Sequence, residues 1–416
     1  MIETLLVSGC YLAFWSNATG VGAAVRPAIF MFLFLAAFLA VVTNKMQRIA
    51  ATPIEILLYI VGILSAVVSL LRSEEYCIYY TMYYVAILIF ISVFARTLTL
   101  ERLLDLGAFV ILLCIATCII FDSKGLIAAL EISVGPNGLE RYGPLNNHPL
   151  LMGHIFGSGS LLLARRVYLA RNSLQRYLMA GGVFLAWTMV LAASSRSTII
   201  ALMVAAVFAA IFEFRILRGI TGKGFVIAAA VIGVLAVFYY GFADTYLINM
   251  LEIDSSYRGF GTGATGRTDL WAKSLDALFS DPTLIAFGGG LRSSEYMVIG
   301  FLTENSYLTI LLDSGIFAGG ALILVLLYSP IMALRLQRSR ANAPKKTLAF
   351  LPSFFVFLLI QCFFLRYFIG IGNPTSLLTL VLLVSLSMYA GFAACLAQAP
   401  ANTAGPQVHP QISGST

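Results

Sequence analysis

Four side chains stand where apolar stretches of the chain meet polar ones, and their types suggest a shared chemistry. Arg196 sits in Ala192-Ala-Ser-Ser-Arg-Ser-Thr198, between two apolar segments joined by almost no loop. A guanidinium so close to hydrocarbon is costly, and it is normally turned toward a polar cavity or a partner. Arg267 follows the glycine-rich Gly259-Phe-Gly-Thr-Gly-Ala-Thr-Gly266, and Arg292 follows Gly288-Gly-Gly290. Glycine lets backbone N–H groups approach an anion, and arginine grips phosphate oxygens through two parallel hydrogen bonds. The arginines therefore predict a phosphate site, against the plainer reading of interfacial anchors or ion pairs to Asp254, Asp269 or Asp281. Glu304 opens Glu304-Asn-Ser-Tyr-Leu308 and is a candidate proton acceptor. Thr303 offers a compatible structural role, capping the next helix and leaving Glu304 in a first turn where the dipole favours an acid.

Other chemistries find little support. Of three histidines, His409 lies near the C-terminus, and His148 and His154 are six apart and face different ways on a helix. No metal site is expected. Cys114 and Cys118 read as small buried apolar residues. Neither a GxxxxGK[ST] phosphate loop nor a GxSxG elbow occurs, which argues against an ATP-driven pump or a common lipase.

The elements that must hold these residues follow from composition. Of 416 residues, 60% are hydrophobic and 11% charged, against roughly 25% charged in a soluble domain. That excludes a soluble enzyme and a disordered chain, and six cysteines are too sparse for a disulfide scaffold. The apolar runs are continuous, unlike the alternating strands of a β-barrel. The expected fold is an all-α polytopic membrane protein of about twelve spans, near 4–22, 27–43, 53–71, 76–94, 103–121, 149–164, 177–193, 197–213, 224–243, 303–328, 348–365 and 374–396. Residues 1–396 then form one transmembrane domain, and 397–416 a flexible cytoplasmic tail.

With the N-terminus inside, 16 of the 26 Lys and Arg residues fall on the cytoplasmic side, as positive residues prefer. The remaining ten face outward, where an anionic ligand would give them a purpose. The net charge of +7 is explained by this distribution and implies no nucleic-acid partner. Two outer loops, 122–148 and 244–302, form the expected catalytic face. A connection as long as the second is usually functional or disordered, and its apolar content argues for function. Within it Leu270, Trp271, Leu275, Leu278 and Phe279 recur at helical spacing, predicting an amphipathic interfacial helix.

Taken in order, these motifs resemble a known family. The serine-flanked Arg196, the outer loop with Gly266-Arg-Thr-Asp-Leu-Trp271, then Asp281-Pro, Gly288-Gly-Gly290, Glu304-Asn-Ser-Tyr-Leu308 and Asp313-Ser-Gly315 are similar to the O-antigen ligase and Wzy-type polysaccharide polymerase superfamily. Arg141-Tyr-Gly-Pro-Leu-Asn-Asn-His-Pro149 resembles that family's segment before a middle span. The resemblance covers about 141–320 in ordered motifs. It implies a GT-C-type glycosyltransferase of the bacterial inner membrane, acting at the periplasmic face on undecaprenyl-pyrophosphate-linked glycans as donor and acceptor. It implies no cofactor, metal or nucleotide sugar, and partners such as membrane lipids, a chain-length regulator and a flippase.

On this resemblance Glu304, Arg196 and Arg267 are the catalytic group, the two arginines holding the lipid pyrophosphate. Arg292, Arg141, His148, Asn305, Tyr307 and Trp271 are the expected substrate contacts, with interfacial anchoring the plainer role for Tyr307. Ligases carry a histidine before the Asn-x-Tyr-Leu segment, where this chain has Glu304, so the expectation moves toward a polymerase of oligosaccharide repeat units. Transfer to lipid A-core by a ligase is the nearer alternative. A lipid-linked oligosaccharide flippase or an anion transporter is the more distant one. A transporter tends to place charges or broken helices near the bilayer midplane, and here the span interiors are nearly charge-free, with Asp313 the clearest exception.

Overall fold

The computed structural model describes residues 1–16, 22–43, 46, 50–131, 134–135, 138–139, 141–214, 267–298, 300, 303–338, 348–366, 368 and 373–398. Eleven of the twelve expected apolar segments coincide with helix; the twelfth, 224–243, lies outside the described residues, as do 244–266 and the tail from 399. In chain order the helices are α1 (Ile2–Trp15), α2 (Gly22–Val42), α3 (Pro53–Leu71), α4 (Glu75–Thr97), α5 (Leu100–Leu130), α6 (Pro149–Leu169), α7 (Ser173–Ala192) and α8 (Arg196–Phe208). They continue as α9 (Arg267–Ser280), α10 (Pro282–Phe287), α11 (Ser306–Ser314), α12 (Ala321–Arg338), α13 (Leu351–Phe364) and α14 (Pro374–Gln398). Among the described residues, seven helical stretches are long and apolar enough to cross a membrane, so the chain is an all-α polytopic membrane protein.

Local sequence sets the helix starts. Thr52 and Glu55 form a reciprocal capping box around Pro53 at the head of α3. Glu55 also receives a two-pronged contact from Arg96 of α4, at 2.7 and 2.8 Å. At the same end, Arg165 and Arg166 share Asp105, at 2.5 and 3.0 Å. These paired charges lie on the side to which the basic loops were assigned. Large apolar side chains such as Phe34, Phe38, Leu71 and Phe184 remain exposed on the helices, a surface that suits a bilayer as solvent.

Three expectations need correction. The outer loop at 122–148 is shorter than the sequence suggests: the backbone breaks at Asp122 (φ −146°, ψ 37°), but α5 resumes and runs to Leu130. Asp122, Ser123, Lys124 and Gly125 look like loop, yet Leu126 and Ala129 are buried and carry the helix on. Beyond it a small antiparallel ribbon pairs Val134 with Leu139 and Gly135 with Gly138. The apolar segment at 303–328 is also not one helix. A π-helical stretch, Gly315–Gly320, separates α11 from α12, beginning at Gly315 with φ 68°. The third is the helix start expected at Thr303, since the helix is capped by Asn305.

The bundle brings several helix ends to one side. Gly153 and Gly157 of α6 let α8 approach closely, since a Cβ on either would come within 2.5 Å of Ser195 or Thr198. Gln361 of α13 donates to the Thr198 hydroxyl at 3.1 Å. Thr198 lies two residues from Arg196 and Gln361 lies near the end of α13. The starts of α6 and α8 and the end of α13 therefore share one face, opposite the Arg96 and Arg165 clusters.

Candidate active site

Glu304 is the focus of that face. It stands just before α11 with φ 49°, a left-handed conformation that costs a non-glycine residue energy and tends to persist at functional positions. The cap of α11 is Asn305, whose Oδ1 accepts from the Leu308 N–H at 3.1 Å. Thr303 instead bonds the Asn305 carbonyl at 3.1 Å and the Thr309 hydroxyl at 2.5 Å. Of two good capping residues the nearer one caps, and Glu304 stays outside the first turn. Its role as a helix-dipole acid is thereby displaced, and the expectation of a Thr303 cap is corrected.

The Glu304 Oε2 is buried and has no hydrogen-bond partner among the described residues. Burial raises the carboxyl above the ordinary glutamate range, and the positive charges of Arg267 and Arg366 act in the opposite direction without overcoming it. Such a carboxylate is more basic than a solvated one. The two charges act on it from different parts of the chain. Arg267 is the first residue of α9, and Arg366 follows the end of α13. The latter segment is fixed by Ser306, whose hydroxyl donates to the Leu365 carbonyl and accepts from the Phe368 N–H at 3.4 Å.

Arg366 was not singled out from sequence. It is a lone arginine with no motif around it, and only the Ser306 tie brings it beside Glu304. Arg366 also pairs with Glu295 at 3.2 Å, and Glu295 pairs in turn with Arg292 through Nε at 2.9 Å. Arg292 lies over the rings of Tyr80 and Tyr296, at 4.1 and 5.1 Å. The structure thus commits the Arg292 head to a carboxylate and two aromatic faces. The Asp281 carboxylate, expected as a possible partner of the site arginines, instead faces Arg72 at 3.5 Å and caps α10 through the Thr283 N–H at 2.8 Å.

The Gly288–Gly290 run does not offer its N–H groups to an anion, as its composition suggested. Those groups donate to the carbonyls of Leu284, Leu312 and Asp313, at 2.9, 2.8 and 2.9 Å. The glycines are there for close approach: Gly288 has φ 75°, and a Cβ on it would lie 2.4 Å from the Asp313 carbonyl carbon. Asp313 completes the attachment. Its carboxylate, only 3% exposed, accepts from the N–H groups of Arg292 and Ser294 at 2.8 and 3.0 Å and from the Ser293 hydroxyl at 3.3 Å. The deepest acid of the segment therefore clamps the loop that carries Arg292 and Glu295.

The remaining expected residues fall into supporting places. Arg141 donates to the carbonyls of Ala193 and Ser194, at 3.0 and 3.2 Å, and the Tyr142 N–H to Ala192 at 2.9 Å. They brace the turn that presents Arg196, which opens α8 half-buried. His148 is exposed at the head of α6. Tyr307 donates its hydroxyl to the Leu359 carbonyl at 2.9 Å, joining α11 to α13. The α9 helix exists as expected, but its buried residues are Ser274 and Leu278, while Phe279 is exposed. Leu278 joins Leu284 and Leu312 in a small separate core. Trp271 is half-buried, and its indole N–H meets no acceptor among the described residues.

A search of curated proteins found no match to this sequence. Residues 181–324 match the family model described as O-antigen ligase, a stretch that holds Arg196, Arg267, Arg292, Glu304 and Asp313. Across 181–324 this polytopic membrane protein is therefore similar to the O-antigen ligase family.

Proposed function

We propose that the protein is a polysaccharide polymerase of the bacterial inner membrane, joining undecaprenyl-pyrophosphate-linked oligosaccharide repeat units at the periplasmic face. The observation that carries this reading is the half-buried carboxylate of Glu304, whose buried Oε2 has no hydrogen-bond partner among the described residues and which feels the charges of two arginines. Glycosyl transfer from a pyrophosphate carrier needs a base for the acceptor hydroxyl and cations for the departing pyrophosphate. In the proposed step Glu304 takes the proton of an acceptor hydroxyl as its oxygen bonds to the donor's anomeric carbon. The bond from that carbon to the pyrophosphate oxygen breaks, and its electron pair leaves with the phosphate. Arg267, Arg366 and Arg196 stabilise that growing charge, with fork geometry suited to paired phosphate oxygens.

The periplasmic assignment is supported by the 16 of 26 basic residues that sort to the opposite side. The chemistry proposed for these side chains needs no metal or nucleotide. Trp271 and His148 are proposed contacts for the glycan, and Arg141 a support for Arg196. A ligase is the second reading, favoured by the match to the O-antigen ligase family model; Glu304 in place of a histidine favours the polymerase. A transporter is disfavoured because Asp313, the acid within the span, is saturated by loop donors.

Deleting the protein and resolving the cell's surface glycans on a gel tests the reading. Single repeat units are the expected outcome. Full-length polymer stranded on its carrier supports a ligase instead, and an unchanged glycan pattern rejects both.

A further inference from the structure

We infer that Tyr76, Tyr80 and Tyr296 form a stacking platform for a pyranose ring of the glycan, beside the carboxylate–arginine site; the inference rests on the glycan-transfer reading above. Tyr76 and Tyr80 are one turn apart on α4 and so share a face. Tyr296 comes from a different part of the chain, the π-helical stretch Ser294–Val298. Its ring nevertheless lies nearly parallel to both, at 5.1 Å and 10° from Tyr76 and at 6.3 Å and 15° from Tyr80. The guanidinium of Arg292 covers Tyr80 and Tyr296. Rings already ordered by one another and by a cation lose little freedom when a ligand arrives.

The row is continuous with the candidate active site. Arg292 binds Glu295, Glu295 binds Arg366 at 3.2 Å, and the charge of Arg366 acts on Glu304. A ring held on the tyrosines would thus be a few side chains from the proposed base, as one sugar of an oligosaccharide would be when another is reacting. Tyr76 is 63% exposed and Tyr296 44% exposed, so part of the row remains available.

The chemistry of the surroundings favours a sugar over a lipid headgroup. The aliphatic face of a pyranose carries slightly positive C–H groups that match the negative face of an aromatic ring. Glu74 and Glu75 directly precede Tyr76. Their carboxylates repel phosphate headgroups and accept hydrogen bonds from sugar hydroxyls. Arg292, which would otherwise attract a headgroup, is already paired with Glu295. Interfacial anchoring places aromatic rings at headgroup depth; it does not call for parallel rings assembled from two elements around an arginine.

The test uses full-length protein in nanodiscs and, as probe, phosphate-free oligosaccharide released by mild acid from the source cell's own surface polysaccharide. Saturation-transfer NMR reads binding. Tyr76→Leu and Tyr296→Leu keep an apolar side chain for anchoring but remove the ring face, and should bind roughly two- to tenfold more weakly. Tyr76→Phe should bind as the unsubstituted protein does. Elution profiles check that each variant is folded. Leucine variants that bind undiminished, a phenylalanine variant as weak as the leucine one, or an unsubstituted protein that binds no glycan would each overturn the platform. The gel of the deletion strain reads the parent assignment separately: altered surface glycan there, with undiminished binding by the leucine variants, removes the platform alone.

Discussion

Replacing Glu304 with Gln keeps the side chain's size and removes its ability to take a proton. The site makes the consequence readable, because burial has raised the carboxyl and Oε2 has no hydrogen-bond partner among the described residues. A general base contributes about 10²–10⁴ in rate, which is about 2.7–5.4 kcal/mol of transition-state stabilisation at about 1.36 kcal/mol per decade. In vitro extension of purified lipid-linked repeat units should slow by that factor. Stability should move the other way. A folded-state carboxyl raised above its unfolded value binds more protons when folded, so the charge costs stability as pH rises past the unfolded pKa. Neutral glutamine escapes that cost, and the variant should melt no lower than the original at neutral pH. Activity of the unsubstituted protein should rise with pH as Glu304 loses its proton, through a midpoint above that of an ordinary glutamate. Near-normal turnover by a folded Glu304→Gln protein would refute the base role. A slow variant that also melts well below the original would assign the loss to structure.

The other expectations concern the cations, the clamp and the orientation. Arg267→Lys, Arg366→Lys and Arg196→Lys should each lose most activity while staying folded, because an ammonium keeps the charge without the fork; normal extension by all three would reduce these arginines to anchors. Asp313→Asn puts an amide where three donors of one loop converge. It should cost about 1–3 kcal/mol of stability, seen as a lower melting temperature and faster proteolysis within 288–298. A reporter fused near residue 260 should be periplasmic and one near residue 340 cytoplasmic; the reverse pair would put the proposed chemistry in the wrong compartment.

Much of this architecture was legible in the sequence because hydrocarbon thickness imposes a simple requirement of long apolar runs. Segment 53–71 coincides with α3 to the residue, since Pro53 and a capping box mark its start. What hydropathy could not show was which polar groups are spent inside the fold. Gly288-Gly-Gly290 has the composition of an anion loop, but its N–H groups are consumed by α10 and α11 carbonyls. Thr303 and Asn305 are both good caps, and only the backbone turn at Glu304 decides between them. Arg267 and Glu304 were readable as candidate site residues from their neighbours in sequence. Arg366 was not, because its place depends on the long-range contact between Ser306 and Leu365. Tyr76 and Tyr80 carry no signal in the sequence either, because only the fold sets Tyr296 and Arg292 against them.

Purified protein in proteoliposomes, supplied only with lipid-pyrophosphate-linked repeat units and a chelator, offers the most direct decision. If Glu304 and its arginines polymerise repeats, the gel will show a ladder of successive lengths, with one carrier pyrophosphate released for each new linkage. If no chain grows past a single repeat, and transfer appears only when lipid A-core is added, the protein is a ligase and the polymerase account is wrong.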